Sequence, residues 1–143
     1  MIGIGYEGLP LERFVERLVA EGIEMVVDVR LNAISRKVGY SKRALANALE
    51  AAGLHYVHDP RLGNPKDNRA AYGDATSAEG RTVRERFRAR LDEGDGAAAV
   101  RDLADLVRQY AVAVLCYEAN EMHCHRQQVM DAVRESQRSF LAV

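Results

Sequence analysis

Cysteine is scarce in this sequence of 143 residues, which contains only two. Two cysteines in a chain of this size do not suggest the disulfide framework of a secreted domain. No apolar run approaches the roughly 20 residues of a membrane span, so we expect no membrane contact. The first residues lack a basic region followed by an apolar region and a cleavage site, so no signal peptide is predicted. We therefore expect a reduced, cytoplasmic protein.

The sequence also has little net charge and few aromatic residues. The formal net charge is −1, which excludes a globally basic nucleic-acid binder but leaves room for a local basic patch. Aromatic residues make up 6% of the chain, so stacking platforms for bases are few. Hydrophobic content of 48% and charged content of 29% are ordinary globular values. The length suits one domain, which we expect to span residues 1–143.

Short apolar runs alternate with helical patterns along the chain. Strands are predicted at 2–5, 25–30, 54–58 and 112–116, with 2–5, 26–29 and 112–116 as parallel central strands. Residues 140–143 are a candidate fifth, edge strand or a docked tail. Residues 63–79 have few apolar anchors and are expected to form a lid or a mobile loop. This order predicts a single three-layer α/β domain, with a mainly parallel sheet of four or five strands and helices on both faces.

Polar side chains follow each predicted strand. Tyr6 and Glu7 stand between two glycines, Asp28 and Arg30 end the second run, and residues 116–126 follow the last strand. Because loops after parallel strands share one edge of a sheet, these side chains are expected to meet there. The last loop is the densest, with both cysteines, and it enters a helix whose free N–H groups favour anions. The sequence therefore predicts a site at this edge.

A second loop is basic. From residue 30 to residue 43 the chain carries five basic side chains and no acidic one, with hydroxyl groups among them. In a near-neutral protein such a loop is a candidate for binding phosphate groups, although a solvated loop with the same composition is common. The candidate binding residues here are Arg30, Ser35, Arg36, Lys37 and Lys42.

These positions also carry a family resemblance. The matching pieces are Ile4-Gly5-Tyr6-Glu7-Gly8, Val26-Val27-Asp28-Val29-Arg30, Ser35-Arg36-Lys37-Val38-Gly39-Tyr40-Ser41-Lys42, Leu62-Gly63, and Leu115-Cys116-Tyr117-Glu118 with Cys124-His125-Arg126. In this set the chain resembles the domain-of-unknown-function 488 family, with Tyr40 where phenylalanine is expected. The resemblance covers nearly the whole chain. It supplies a set of motifs and implies no settled activity.

The first functional hypothesis is an enzyme that uses a cysteine. Cys124 precedes a helix N-terminus and is flanked by His125 and Arg126, which are features that lower a thiol pKa. Glu118 or Glu7 would be the general acid or base. Asp28 would be a carboxylate held at the crevice. Tyr6, His125, Arg126 and the basic loop would bind a phosphate-bearing or other anionic substrate, a nucleotide or nucleic acid among the options. The cysteine-phosphatase spacing fails, because methionine stands six positions after each cysteine.

Three other interpretations stay open. Cys116, Glu118, Cys124 and His125 are zinc-ligand types, but their spacing is not a recognised zinc motif, and adjacent Cys124 and His125 are expected to point apart, so no cofactor is predicted. The basic loop and the arginines of residues 81–90 would suit a nucleic-acid-binding module without catalysis. Finally, Cys116 at the end of an apolar run is typical of a buried core thiol.

Overall fold

The computed structural model describes residues 1–141, except for the side chain of Phe140. Within these residues, nine main elements follow one another in the predicted alternation, with three short 3₁₀ turns between them. The strands and helices are β1 (Ile2–Gly5), α1 (Leu11–Ala20), β2 (Met25–Asp28), α2 (Lys42–Ala51), β3 (His55–His58), α3 (Ala78–Asp92), α4 (Gly94–Gln109), β4 (Val112–Cys116) and α5 (Arg126–Leu141). No helix within residues 1–141 is both long and apolar enough to cross a bilayer.

The four strands form one parallel sheet in the order β1-β4-β2-β3. The α/β prediction and the parallel pairing are therefore confirmed. The expectation that β1 would be a central strand is wrong, because β4 inserts between β1 and β2 and pairs with both. β1 is left at an edge, where Ile2 and Gly3 are only half-buried. Every residue of β2 and β4 is buried, as their apolar sequences predict.

Alternate residues of the strands supply two separate cores. Val26 and Leu115 face the layer made by α1 and α2, where they pack with Phe14 of α1 and Leu45 of α2. On the opposite face, alternate side chains of β2 and β4 pack against α3, α4 and α5, a set that includes Val27, Val114, Phe87, Leu103 and Val133. Cys116 points to this second face because it follows Val112 and Val114 at a period of two. The three-layer arrangement is thus the observed one.

Glycines follow the ends of α1 and α2, whereas the serine at the start of α2 does not cap that helix. Gly22 and Gly53 come just after α1 and α2 with φ of 73° and 84°, the left-handed backbone that glycine adopts freely at a helix end. Ser41 stands at the N-cap of α2, but its side chain does not cap the helix. Its Oγ instead accepts from the amide of Ser35 at 3.0 Å and donates to the Ser35 carbonyl at 3.2 Å. Ser41 therefore closes the basic loop on itself.

The last helix, α5, includes residues for which an edge strand or a docked tail was predicted. It continues through residue 141, so the fifth-strand prediction is wrong for residues 140–141, and residues 142 and 143 lie outside the described part of the chain. No glycine or proline stands between residues 126 and 141 to end the helix. Val129, Met130 and Val133 give this helix a buried face against the sheet.

The segment of residues 63–79 is attached to the helical layer. Asn64, Asn68 and Tyr72 are buried in it. The Asn68 side-chain amide donates to the Asn64 side chain at 3.0 Å and to the Val83 carbonyl at 2.8 Å. Tyr72 packs edge-on against Phe87 of α3, and its hydroxyl donates to Gln128 of α5. Side-chain amides and Tyr72 thus anchor a segment that was expected to be a lid or a mobile loop because it has few apolar residues. A pattern based on apolar periodicity does not detect such amide contacts.

Candidate functional site

A cleft of about 460 Å³ opens at the carboxyl edge of the sheet, where the sequence predicted a site. Its walls come from the loops after β1, β2 and β4 and from the segment of residues 63–79. This volume suits a small ligand such as a metabolite. The predicted site residues that line the cleft are Tyr6, Arg30, Glu118, Cys124 and His125, and Cys116 lies with them.

The chemical centre of the cleft is a cluster of two thiols and one imidazole. His125 Nδ1 lies 3.8 Å from Cys116 Sγ and 3.7 Å from Cys124 Sγ. On the other side of the ring, His125 Nε2 is 2.8 Å from the carbonyl oxygen of Val29. Because a carbonyl oxygen can only accept, Nε2 carries a hydrogen and donates a hydrogen bond. This bond fixes the ring and directs Nδ1 at both sulfurs. The three side chains are buried, although all of them line the cleft.

The expectation that Cys124 and His125 would point apart is wrong. Cys124 has an extended backbone, with φ of −123° and ψ of 144°, and α5 begins only at Arg126. Both residues therefore precede the helix, and its rotation of 100° per residue does not fix the relative directions of their side chains. The hydrogen bond to Val29 then holds the His125 ring beside the thiol of its neighbour.

The pKa values of the two thiols are shifted in opposite directions. Burial opposes ionisation of Cys124, but the adjacent Cys116 thiol and the His125 ring favour its thiolate, and together they lower the pKa of Cys124 to about 6. The hydrogen bond from the Cys116 thiol to Cys124, together with burial, raises the pKa of Cys116 well above its ordinary value. The lowered pKa of Cys124 is in the predicted direction. Of the expected sources, which were the helix N-terminus, His125 and Arg126, only His125 is among the causes, and the Cys116 thiol is a source that was not predicted.

Arg126 is instead buried and holds the loop after β4 in place through hydrogen bonds. It is 1% exposed, and its guanidinium donates to the carbonyls of Glu118 at 2.5 Å and Ala119 at 3.2 Å. Glu7 braces the same loop from outside, because its carboxylate accepts from the Ala119 amide at 3.1 Å. Neither Arg126 nor Glu7 lines the cleft. Glu118 does, and its Oε2, 3.4 Å from Cys116 Sγ, is an alternative acceptor for the single hydrogen of this thiol.

Asp28 and Arg30 form a buried ion pair below the cleft. The Arg30 Nε and NH2 groups donate to the two carboxylate oxygens of Asp28 at 2.9 and 2.7 Å, and Tyr56 adds a third bond at 2.6 Å. Arg30 also donates to the hydroxyl of Tyr6 and to the carbonyl of Tyr40. Asp28 is fully buried and does not line the cleft. The charge of Arg30 is thus largely matched by Asp28.

The basic loop lies outside the cleft lining, apart from its beginning. Leu31, Asn32 and Ile34 contribute to the wall, whereas Ser35, Arg36, Lys37 and Lys42 do not. Ser35 uses its Oγ to accept from the amide of Lys37 at 3.1 Å. The spacing of charges in the sequence could not distinguish a loop that turns its side chains to solvent from one that turns them inward.

Several residues of the cleft were missed by sequence reasoning. Asn64, Arg69, Tyr72 and His123 line it, and the first three come from the segment expected to form a lid. Arg69 is an exposed cation of this wall, and its Nε donates to the Asn64 carbonyl at 3.0 Å. A long segment without periodicity that follows a sheet strand was the available signal, but no feature of its sequence singled out Arg69.

The arginines of α3 are mostly engaged within the protein. Arg81 donates to the Thr76 carbonyl, and Arg88 pairs with Asp92 and with Glu135 of α5. Arg84 lies over the ring of Tyr72 and donates to the Tyr72 and Met122 carbonyls. These contacts tie α3 to its neighbours, and they leave fewer guanidinium groups on this helix for contacts with a phosphate backbone.

The thiol and imidazole cluster also contains the donor atoms that could hold a metal ion. The sulfurs of Cys116 and Cys124 and one His125 nitrogen all lie within 4.8 Å of one another. Thiolate and imidazole are the donors that zinc prefers in proteins.

Comparison with known proteins gives one finding. A protein-family model, described as a domain of unknown function, DUF488, matches residues 10–133. This range includes the Asp28–Arg30 pair and the whole loop after β4, whereas the glycine-flanked Tyr6 and Glu7 lie just before it. Neither a search of curated proteins nor a search of solved structures found a match. Because the family model covers most of the chain, this protein belongs to the DUF488 family of domains of unknown function.

Proposed function

We propose that this protein is an enzyme that acts on a small anionic substrate, with Cys124 as its nucleophile. The observation that carries the proposal is the contact of 3.7 Å between Cys124 Sγ and His125 Nδ1 in the wall of a ligand-sized cleft. A thiolate is the reactive form of cysteine, and a neighbouring imidazole is a common way to keep it available.

The other residues have roles that follow from their positions. His125 takes up or returns a proton through Nδ1, while its Nε2 hydrogen bond to Val29 keeps the ring aligned. Glu118 is half-buried and lines the cleft beside Cys116, where it serves as a second acid or base. In a substitution reaction, Cys124 would donate its electron pair to the electrophilic centre of the substrate. The bond to the leaving group would break as the sulfur–substrate bond forms, and the leaving group would depart with the proton that His125 Nδ1 had taken from the Cys124 thiol, or with one from a protonated Glu118.

An anionic substrate is favoured by a cation in the cleft wall. Arg69 is exposed there, and within residues 1–141 its side chain has no carboxylate contact. Guanidinium groups bind phosphate and carboxylate oxygens well. We therefore propose a phosphate-bearing substrate, with nucleotides within that class.

Alkylation of protein freed of metal by a chelator tests both parts of the proposal. Iodoacetamide at neutral pH should label Cys124 well before Cys116, as mass spectrometry of digested samples can measure. Inorganic phosphate at millimolar concentration should slow labelling of Cys124, and Arg69→Ala should remove that protection. The matched control is Arg36→Ala with Lys37→Ala, which removes two charges outside the cleft and should leave the protection unchanged. The proposal fails if Cys124 in the metal-free protein reacts no faster than a cysteine in an unfolded peptide.

A further inference from the structure

We infer that Cys116, Cys124 and His125 form a binding site for a thiophilic divalent cation, which their donor types identify as Zn²⁺. Two thiolates and one imidazole are a ligand set that proteins use for zinc when the fourth position stays open. Here the three donor atoms converge from the end of β4 and from the residues just before α5. All three side chains line the cleft, so the open position would face it.

The distances between the donors fit a tetrahedral centre. Zinc–sulfur bonds of about 2.3 Å and zinc–nitrogen bonds of about 2.0 Å place sulfur and nitrogen ligands about 3.6 Å apart. The observed separations are 3.7 Å for Cys124 and 3.8 Å for Cys116, each measured to His125 Nδ1. The two sulfurs are within 4.8 Å of each other, so the site closes on a cation with small side-chain movements.

His125 is prepared for this role by its second hydrogen bond. A histidine that binds a metal usually donates its other ring N–H to a carboxylate or a main-chain carbonyl, which fixes the ring and the tautomer. The bond of 2.8 Å from Nε2 to the Val29 carbonyl does this and leaves the lone pair of Nδ1 directed at the sulfurs. A packing role alone would not require Nδ1 to face both thiols at once.

Binding of the cation would change the chemistry of the cleft. The Cys116 thiol would release its proton to solvent, and both sulfurs and Nδ1 would donate electron pairs to the cation. The Cys124 lone pair that attacks the substrate in the proposed function would then be bound to the cation. This consequence rests on the proposed function, whereas the cation site rests on the geometry alone.

Titration of the metal-free protein with Co²⁺ and Zn²⁺ tests the site. We expect one Co²⁺ per chain, with the near-ultraviolet charge-transfer absorption that thiolate ligands give, and displacement of Co²⁺ by one equivalent of Zn²⁺. Cys116→Ser should weaken binding by about tenfold or more and reduce the charge-transfer band. The matched control is His123→Ala, which removes an exposed imidazole of the same cleft and should leave both the affinity and the band unchanged.

A measurement on the unaltered protein avoids any dependence on how the variants fold. One equivalent of Zn²⁺ should abolish iodoacetamide labelling of Cys124, and a chelator should restore it. The inference is overturned if Co²⁺ binds without a thiolate band, if the band survives Cys116→Ser unchanged, or if Zn²⁺ leaves the labelling rate as it was. None of these outcomes affects the reactivity of Cys124 in the metal-free protein, so failure of the cation site is distinguishable from failure of the proposed function.

Discussion

The imidazole of His125 donates a hydrogen bond of 2.8 Å to the main-chain carbonyl of Val29, which joins the loop after β4 to the residue that follows β2. The same ring faces both cysteines with its other nitrogen. The orientation of the reactive cluster therefore depends on how two neighbouring central strands end.

The rate of Cys124 alkylation should depend on pH with a midpoint near 6. The neighbouring thiol and imidazole outweigh burial and lower the pKa of Cys124 to about 6, so the thiolate fraction rises as the pH passes that value. His125→Gln should move the midpoint upward, because the ring that favours the thiolate is lost. His123→Gln is the control and should leave the midpoint unchanged. A profile of the native protein centred near the value for an ordinary cysteine would contradict this assignment.

Asp28→Ala should lower the free energy of unfolding by about 3–5 kcal/mol, because it leaves the buried Arg30 charge without its partner. Urea denaturation followed by circular dichroism measures the change. Asp131→Ala removes an equivalent charge from an exposed pair with Arg134 and should cost less than about 1 kcal/mol. Similar losses for the two variants would show that the buried pair does not have the importance that its geometry suggests.

Arg126→Lys should loosen the loop after β4 while the sheet stays intact. Lysine keeps the charge but lacks the fork that reaches the carbonyls of Glu118 and Ala119 together. Hydrogen–deuterium exchange should become faster in residues 117–122 and change little in β2. The comparison variant is Arg134→Lys, on the exposed side of the same helix. Unaltered exchange in the loop of Arg126→Lys would indicate that other contacts hold it.

Gly5→Ala should disturb the same loop from the opposite side. A Cβ atom at Gly5 would stand 1.8 Å from the carbonyl oxygen of Glu118, which belongs to the main chain and has little freedom to move. We expect a loss of about 1–3 kcal/mol in the free energy of unfolding, typical of overpacking, and altered labelling of Cys124. Gly73→Ala is the control, because a Cβ there meets nothing within 4 Å. Equal stability of the two variants would contradict the close approach.

The sheet was predictable from the sequence because its strands are short apolar runs between helical patterns. β2 and β4 are buried on both faces, and residue composition alone reports that condition. The order of the strands was not predictable in the same way. The position of β1 at the edge depends on where β4 returns after two helices and a long segment, and local pattern carries no signal for that.

The site was predictable as a location but less so as a set of roles. Tyr6, Arg30, Glu118 and Cys124 come together at the strand ends, as parallel topology requires. The roles of Asp28 and Arg126 were harder to assign, because a sequence does not distinguish a buried structural charge from a charge that binds substrate. Only the partner groups, a guanidinium for Asp28 and two carbonyls for Arg126, distinguish them.

The dependence of the cluster on the Val29 carbonyl gives a practical route to an unknown ligand. Because the donor atoms are aligned only while β2 and β4 are paired, a compound that binds them stabilises the folded chain and not the unfolded one. A ligand at a free concentration 100 times its dissociation constant adds about 2.7 kcal/mol to the free energy of unfolding. Thermal denaturation of this protein in the presence of small-molecule collections would therefore rank ligands of the cleft without an assay for turnover.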